Sequence, residues 1–417
     1  MNFSKKILII IVLLVLVVAG LLFLNYQSGK APGDVDPITE IEIDPVNQAQ
    51  VIEANNQFAF DLYALYREKP GNIFFSPYSI STALAMTYEG ARGETAEEMA
   101  EVFHFPTDNE VRWNGFAGFH NLLNQPGREY VLSSANALWP AKEYPFLEEY
   151  FETIGRYYRG GSEPLDFQSQ PEESRLIINS WVEDETRDKI KDLIPAGFIT
   201  PDVRLVLTNA IYFKGDWLDQ FDPSLTQNED FYLENSGSIP VPIMQQFGRV
   251  ADDAEVDGVQ ILSLPYKGEE ISMMILLPAT GEMDRLEESL TLEKMNEYRE
   301  AVYSQEIDLF LPKFKFETKY FMKDDLMAMG MPSAFGAQAD FSGMTGTRDL
   351  FIGAVIHQAF IEVNEEGTEA AAATGVIMLE SAMPEKPIFR ADHPFIFVIQ
   401  HQETGAILFM GRVGNPS

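Results

Sequence analysis

An α+β fold is predicted, on two observations. Helix-patterned segments crowd the first half of the chain, and strand-like runs separated by turn signals fill the second. These strands do not alternate with helices as repeated βαβ units would. At 417 residues, 46% hydrophobic and 12% aromatic, the chain has apolar material for a large core.

In chain order, Lys5 and Lys6 precede an uncharged apolar run over residues 7–24. A spanning helix needs about 17–25 such residues and a secretory core about 7–15. The run is therefore expected to be a transmembrane anchor (residues 1–24), with a removed signal peptide as the alternative. Either way the remainder would lie outside the cytoplasm, on the outer face of the membrane if the anchor stays. Residues 25–48, rich in Pro, Gly and acids, read as a tether. Val51, Ile52, Phe58, Leu62 and Leu65 then form the stripe of a helix ending near Pro70-Gly71. A short strand, a helix opening at Ser76-Pro77 and a further helix past Gly90 and Gly93 follow. Residues 130–140 read as one strand and 176–194 as a helix with its exit. From Val203 the strands "RLVLTNAIYFKGDW", "GVQILSLPY", "ISMMILLP" and "IDLFLPKFKFE" come in succession. A helix over 322–331, then "AVIHQAFIEV", "HPFIFVIQ" and "AILFMGRV", complete the chain.

The net charge of −34 repels nucleic acid, so a DNA or RNA partner is not expected. With no cysteine there is no disulfide, thiolate metal site or cysteine nucleophile. The five histidines, His104, His120, His357, His393 and His401, form no HExxH, and GxSxG and P-loop patterns are missing. An enzyme is not expected, nor a metal or other cofactor.

The segment "EEGTEAAAATG" (365–375) is the odd one. Four alanines favour helix, yet Gly367, Thr368, Thr374 and Gly375 flank them. Read as a strand, one face carries Thr368, Ala370, Ala372, Thr374, Val376 and Met378, with no charge. The other carries Glu369, Ala371, Ala373, Gly375, Ile377 and Leu379, with one. A charge on a buried face would cost several kcal/mol. No proline falls between Glu365 and Met383, so each residue could donate to a ladder. A solvated alanine-rich linker would explain the composition but not the placement of the charge.

Five segments resemble the serpin family, from Gln50 to Pro416 and in family order. They are "NIFFSPYSISTALAMTYEGARGET" (72–95), "LTNAIYFKGDW" (207–217), "LPKF" (311–314), "HQAFIEVNEEGTEAAAATG" (357–375), and "FRADHPFIFVI" with "ILFMGRVGNP" (389–399, 407–416). The resemblance implies a serpin fold over residues 49–417: three β-sheets, eight or nine helices and an exposed reactive-centre loop (365–388). It also implies a protease inhibitor of the inhibitory type, with a non-inhibitory serpin acting as a binding or storage module as the alternative. A protease cleaves the loop, is held as the acyl-enzyme, and the loop enters the main sheet as an added strand. That mechanism comes with the resemblance, as do the roles of particular residues. Glu365, Glu366, Gly367, Thr368, Glu369, Ala370, Ala371, Ala372, Ala373 and Thr374 match the loop hinge. Ser76, Ser79, Asn209 and His357 match the "shutter", a buried polar cluster under the main sheet, with separate caps and core polars as the plainer reading. Trp217, Lys313 and Glu365 match the "breach", where the loop first enters, with Lys313 and Glu365 an ion pair. Counting fourteen residues from Gly367 puts the reactive bond at Ser381-Ala382, with Glu380-Ser381 the alternative. A small residue there suits an elastase- or subtilisin-like serine protease, and Leu379 or Met378 a chymotrypsin-like one. Without Lys or Arg between Glu365 and Glu385, a trypsin-like partner is disfavoured. A cysteine protease is a further partner the resemblance allows, and the chain is expected to be a monomer.

Overall fold

The computed structural model describes residues 43–234, 237–368 and 386–417. The expected anchor and most of the tether lie outside these residues, as do Glu369–Thr374 of the hinge and Glu380, Ser381 and Ala382. A helix starts at Pro45, inside the stretch read as the tether. Asp44 caps it, its carboxylate accepting from the Val46 N–H, and proline suits the first helical position. The membrane-anchored location is corrected: among the described residues no helix is long and apolar enough to cross a membrane, and the run that prompted the expectation lies outside them.

Ten α-helices occur among the described residues: α1 (Pro45–Tyr66), α2 (Pro77–Tyr88), α3 (Gly93–Phe103), α4 (Asn109–Leu123), α5 (Glu148–Thr153), α6 (Pro171–Glu185), α7 (Met283–Ser289), α8 (Leu292–Ala301), α9 (Lys323–Met329) and α10 (Ser342–Thr345). Helix α2 opens where the sequence put it, with Ser76 Oγ accepting from the Ser79 N–H at 3.1 Å. Its residues are buried all round, so it is the core helix.

The strands are β1 (Ile73–Phe75), β2 (Tyr130–Ser134), β3 (Ala137–Pro140), β4 (Gly161–Ser162), β5 (Leu205–Asp216), β6 (Gln227–Tyr232), β7 (Ser238–Val256), β8 (Val259–Pro265), β9 (Ile271–Pro278), β10 (Tyr303–Pro312), β11 (Phe314–Phe321), β12 (Ile356–Val363), β13 (Gly367–Thr368), β14 (Ile388–Arg390), β15 (Phe395–His401) and β16 (Ile407–Val413). Nine form one sheet in the order β1-β16-β15-β9-β8-β7-β10-β14, with β6 beside β7. The long β7 runs through two of the expected sheets and joins their ladders. The other seven-stranded sheet runs β11-β12-β13-β5-β3-β4, with β2 also on β5. Residues 130–140 are two strands rather than one, broken at Ala135-Asn136.

Two apolar clusters hold the layers together. The larger packs α1 and α2 between the sheets, around Phe58, Leu84, Ile211 and Phe409. The smaller lies under α6, where Ile178 and Val182 meet Trp139, Ala210 and Ile356 of the seven-stranded sheet. A buried ion pair ties the chain ends. Arg412 on β16 donates through Nη1 to Glu287 Oε1 at 2.9 Å, and Tyr63 of α1 donates to the same oxygen at 2.7 Å. The guanidinium also donates to the carbonyls of Arg67, Lys69 and Gly71, just past the end of α1.

Candidate functional site

The seven-stranded sheet has a seam between β5 and β12. The two strands pair directly and in parallel over His357↔Asn209 to Phe360↔Tyr212. Beyond that point β13 wedges between them, antiparallel to both: Gly367↔Asp216 and Thr368↔Gly215 on one side, Val363↔Thr368 on the other. Asn364 makes the turn into this wedge, its side-chain oxygen accepting from the N–H groups of Glu366 and Gly367. Gly367 is required here. Its φ is +155°, and a Cβ would sit 2.2 Å from the Gly215 carbonyl oxygen.

Under the paired end of the seam, Ser76, Ser79, Asn209 and His357 come together as one buried cluster. The Ser76 N–H donates to His357 Nε2 at 3.1 Å, so the ring proton is on Nδ1, which donates to Asn209 Oδ1 at 2.5 Å. Asn209 Nδ2 in turn donates to Ser79 O and Oγ and to Asn136 Oδ1 at 2.7–2.9 Å. Asn136 belongs to the cluster and was not read from the sequence. Its signal was a polar residue between two small ones at the β2–β3 break. The Ser76 side chain is also the α2 cap, so the plainer reading describes that residue, while Ser79, Asn136, Asn209 and His357 are linked to one another directly. Burial pushes the His357 imidazole down to about 3.

That shift has a pH consequence. A histidine held neutral when folded contributes stability above its unfolded value near 6.5 and loses it as pH falls toward 3. Below pH 6.5, urea midpoints of the wild type are expected to drop more steeply than those of His357→Gln. The slope difference should reach up to about 1.4 kcal/mol per pH unit.

At the wedge end, Trp217 is fully buried and stacks on Tyr266, with centroids 4.6 Å apart. Its indole N–H donates to the Asn364 carbonyl at 3.0 Å, and its backbone N–H to that of Glu366 at 2.8 Å. Lys313 Nζ meets Glu365 Oε2 at 2.7 Å, and Thr226 donates to the other carboxylate oxygen at 2.7 Å. Partial burial raises the Glu365 carboxyl, but the bonds from Lys313 and Thr226 outweigh it and hold the group below the usual carboxylate range. Tyr266 and Thr368 share a hydrogen bond at 2.8 Å, which turns Thr368 toward the core. Thr226 and Tyr266 carried no sequence signal, since neither lies in a motif. Glu365→Lys would set two ammonium groups face to face, at a cost of about 1–3 kcal/mol given the partly exposed Lys313. A lower monomer fraction than wild type after mild heating, read by native gel, is the expected result.

Among the described residues no group of three or more His, Cys, Asp or Glu could hold a metal ion. The sequence pattern of the Serpin (serine protease inhibitor) family matches residues 53–416. The chain belongs to the serpin family. A serpin-like protein of Thermococcus kodakarensis, uncharacterised, is 44% identical over 400 residues, covering 94% of this chain and 93% of that one. The human leukocyte elastase inhibitor is 43% identical over 380 residues, 88% of this serpin and all of the inhibitor. Among solved structures, uncleaved ovalbumin superposes with a TM-score of 0.79 at 33% identity, over 88% of this serpin and 100% of ovalbumin. Human thyroxine-binding globulin, solved with its hormone, gives 0.80 at 31%, over 89% and 100%. The α+β serpin fold expected from the sequence is thereby established. The family is described as one of inhibitors, not of catalysts.

Proposed function

We propose that this serpin is an irreversible suicide-substrate inhibitor of serine proteases, consumed as it traps its target. The reading rests on β13: the first two residues past the turn already occupy a strand position between β5 and β12. Continuing both registers aligns Thr374 with Asn209 and with His357, the same pair that β5 and β12 share now. An inserted strand would therefore part the short His357–Asn209 bond and bring a hydroxyl to the gap. The Lys313–Glu365 pair and the Trp217 contacts would act as the breach, and the buried cluster as the shutter. The loop over 365–388 would be the bait within a serpin domain of residues 49–417, with Ser381-Ala382 or Glu380-Ser381 as the reactive bond. Likeness to the leukocyte elastase inhibitor supports an elastase- or subtilisin-like target, with a chymotrypsin-like one next.

A second reading, a serpin that binds rather than inhibits, is favoured by the likeness to thyroxine-binding globulin. Incubation of the full chain with elastase-, subtilisin- and chymotrypsin-type proteases separates the two. A covalent band on denaturing gels supports inhibition. Clean cleavage with no such band for every protease would sink it. The mass of the released C-terminal fragment identifies the bond.

A further inference from the structure

Helix α2 presents Ser76 and Ser79 to the seam at one end. Its other end, about 18 Å along the axis, borders a cleft of about 510 Å³ between α2, α3, α4, α5 and α10. Small-molecule sites span roughly 300–1,000 Å³, so the cleft has room for one. No residue of the seam or of the wedge lines it.

Tyr88, Trp113 and Tyr150 give the cleft aromatic walls. Trp113 is fixed by near-parallel stacking on Tyr157, with centroids 4.9 Å apart, and its buried indole N–H has no acceptor among the described residues. The buried charges cancel: Arg112 donates to the two Glu89 carboxylate oxygens at 2.7 and 3.2 Å, so this pair offers a ligand no net charge.

Two other charges line the cleft. Arg92 makes no ion pair among the described residues, yet its guanidinium is held in place. Nη1 donates to the carbonyls of Glu89 and Ala91 at 2.9 and 2.7 Å. The group also lies against Gly343, where a Cβ would come within 2.5 Å of the guanidinium carbon. Nε and Nη2 make no hydrogen bond among the described residues. Glu149, exposed on α5, likewise has no ion pair there and does not pair with Arg92.

We propose that the cleft binds a small α-amino acid with an apolar or aromatic side chain. Nε and Nη2 are the side of a guanidinium that grips a carboxylate with two parallel bonds, and here that side is free. Glu149 receives the ammonium. The side chain lies among the rings, where an apolar body gains by leaving water. Because Arg92 is already fixed, little conformational freedom is lost there on binding. The site stands apart from the proposed inhibitory mechanism, and its test involves no protease.

Full-length wild type is titrated by calorimetry with L-phenylalanine, with 3-phenylpropionate, which lacks the ammonium, and with 2-phenylethylamine, which lacks the carboxylate. Phenylalanine is expected to bind in the micromolar to millimolar range, about tenfold more tightly than either analogue. Arg92→Met should weaken it about tenfold. Gly343→Ala changes no side chain that would touch the ligand, but its Cβ pushes the movable end of Arg92 out of its seat. It should weaken binding as much as Arg92→Met while keeping the wild-type far-UV circular dichroism. Glu149→Gln should bind phenylalanine and 3-phenylpropionate alike. Equal affinity of wild type for all three compounds would overturn the inference, as would no saturable binding of phenylalanine up to about 10 mM. Wild-type affinity retained in both Arg92→Met and Gly343→Ala would overturn it as well.

Discussion

Arg412→Ala is expected to destabilise the folded chain by about 3–5 kcal/mol, because it leaves the buried Glu287 carboxylate without its cation. The loss has a second component. Arg412 also serves the carbonyls of Arg67, Lys69 and Gly71, which follow α1 and have no helical partner of their own. Arg412→Lys retains the charge but not the planar fork, so it should recover only part of the difference. Urea unfolding followed by far-UV circular dichroism measures both. A loss under 1 kcal/mol for the alanine variant would show that the pair does not hold α1, α7 and β16 together.

The second large effect concerns insertion rather than folding. Ala372 falls opposite Ile211 and Ala359 when the β13 registers are continued, and both are fully buried on the core side. A carboxylate there would be desolvated at a cost of several kcal/mol. Each 1.4 kcal/mol added to the barrier slows insertion tenfold, so hydrolysis of the acyl-enzyme wins. Ala372→Glu is expected to turn the inhibitor into a substrate that is cleaved without a covalent band. Ala371→Glu, on the outward face opposite Phe360 and near Lys315, should still trap protease. Equal behaviour of the two variants on denaturing gels would refute the alternation.

Much of this was legible because it depends on local chemistry. Ser76-Pro77 announces a capped helix, whereas the close approach of two backbones at Gly367 depends on β5 lying beside it. What stayed hidden depends on contacts distant in sequence. Asn136 joins the buried cluster only because β3 pairs with β5, and Thr226 and Tyr266 reach Glu365 and Thr368 from just before β6 and just after β8. The Arg412–Glu287 pair spans more than a hundred residues, and nothing near either one signals it. Residues 7–24 misled by composition: hydropathy and length alone suggested an address that the described structure does not support.

The agreement among the three strands also limits how the chain can change. Asn209 and His357 are in step now, and Thr374 would join them without any slip. A single residue gained or lost between Thr368 and Thr374 would therefore exchange the charged and uncharged faces all along the strand. Past that stretch, length matters less. Under the proposed function the sheet would act as a template with a fixed phase over its first turns of pleat, and downstream the bait could be rewritten for a new protease while the trap kept its timing.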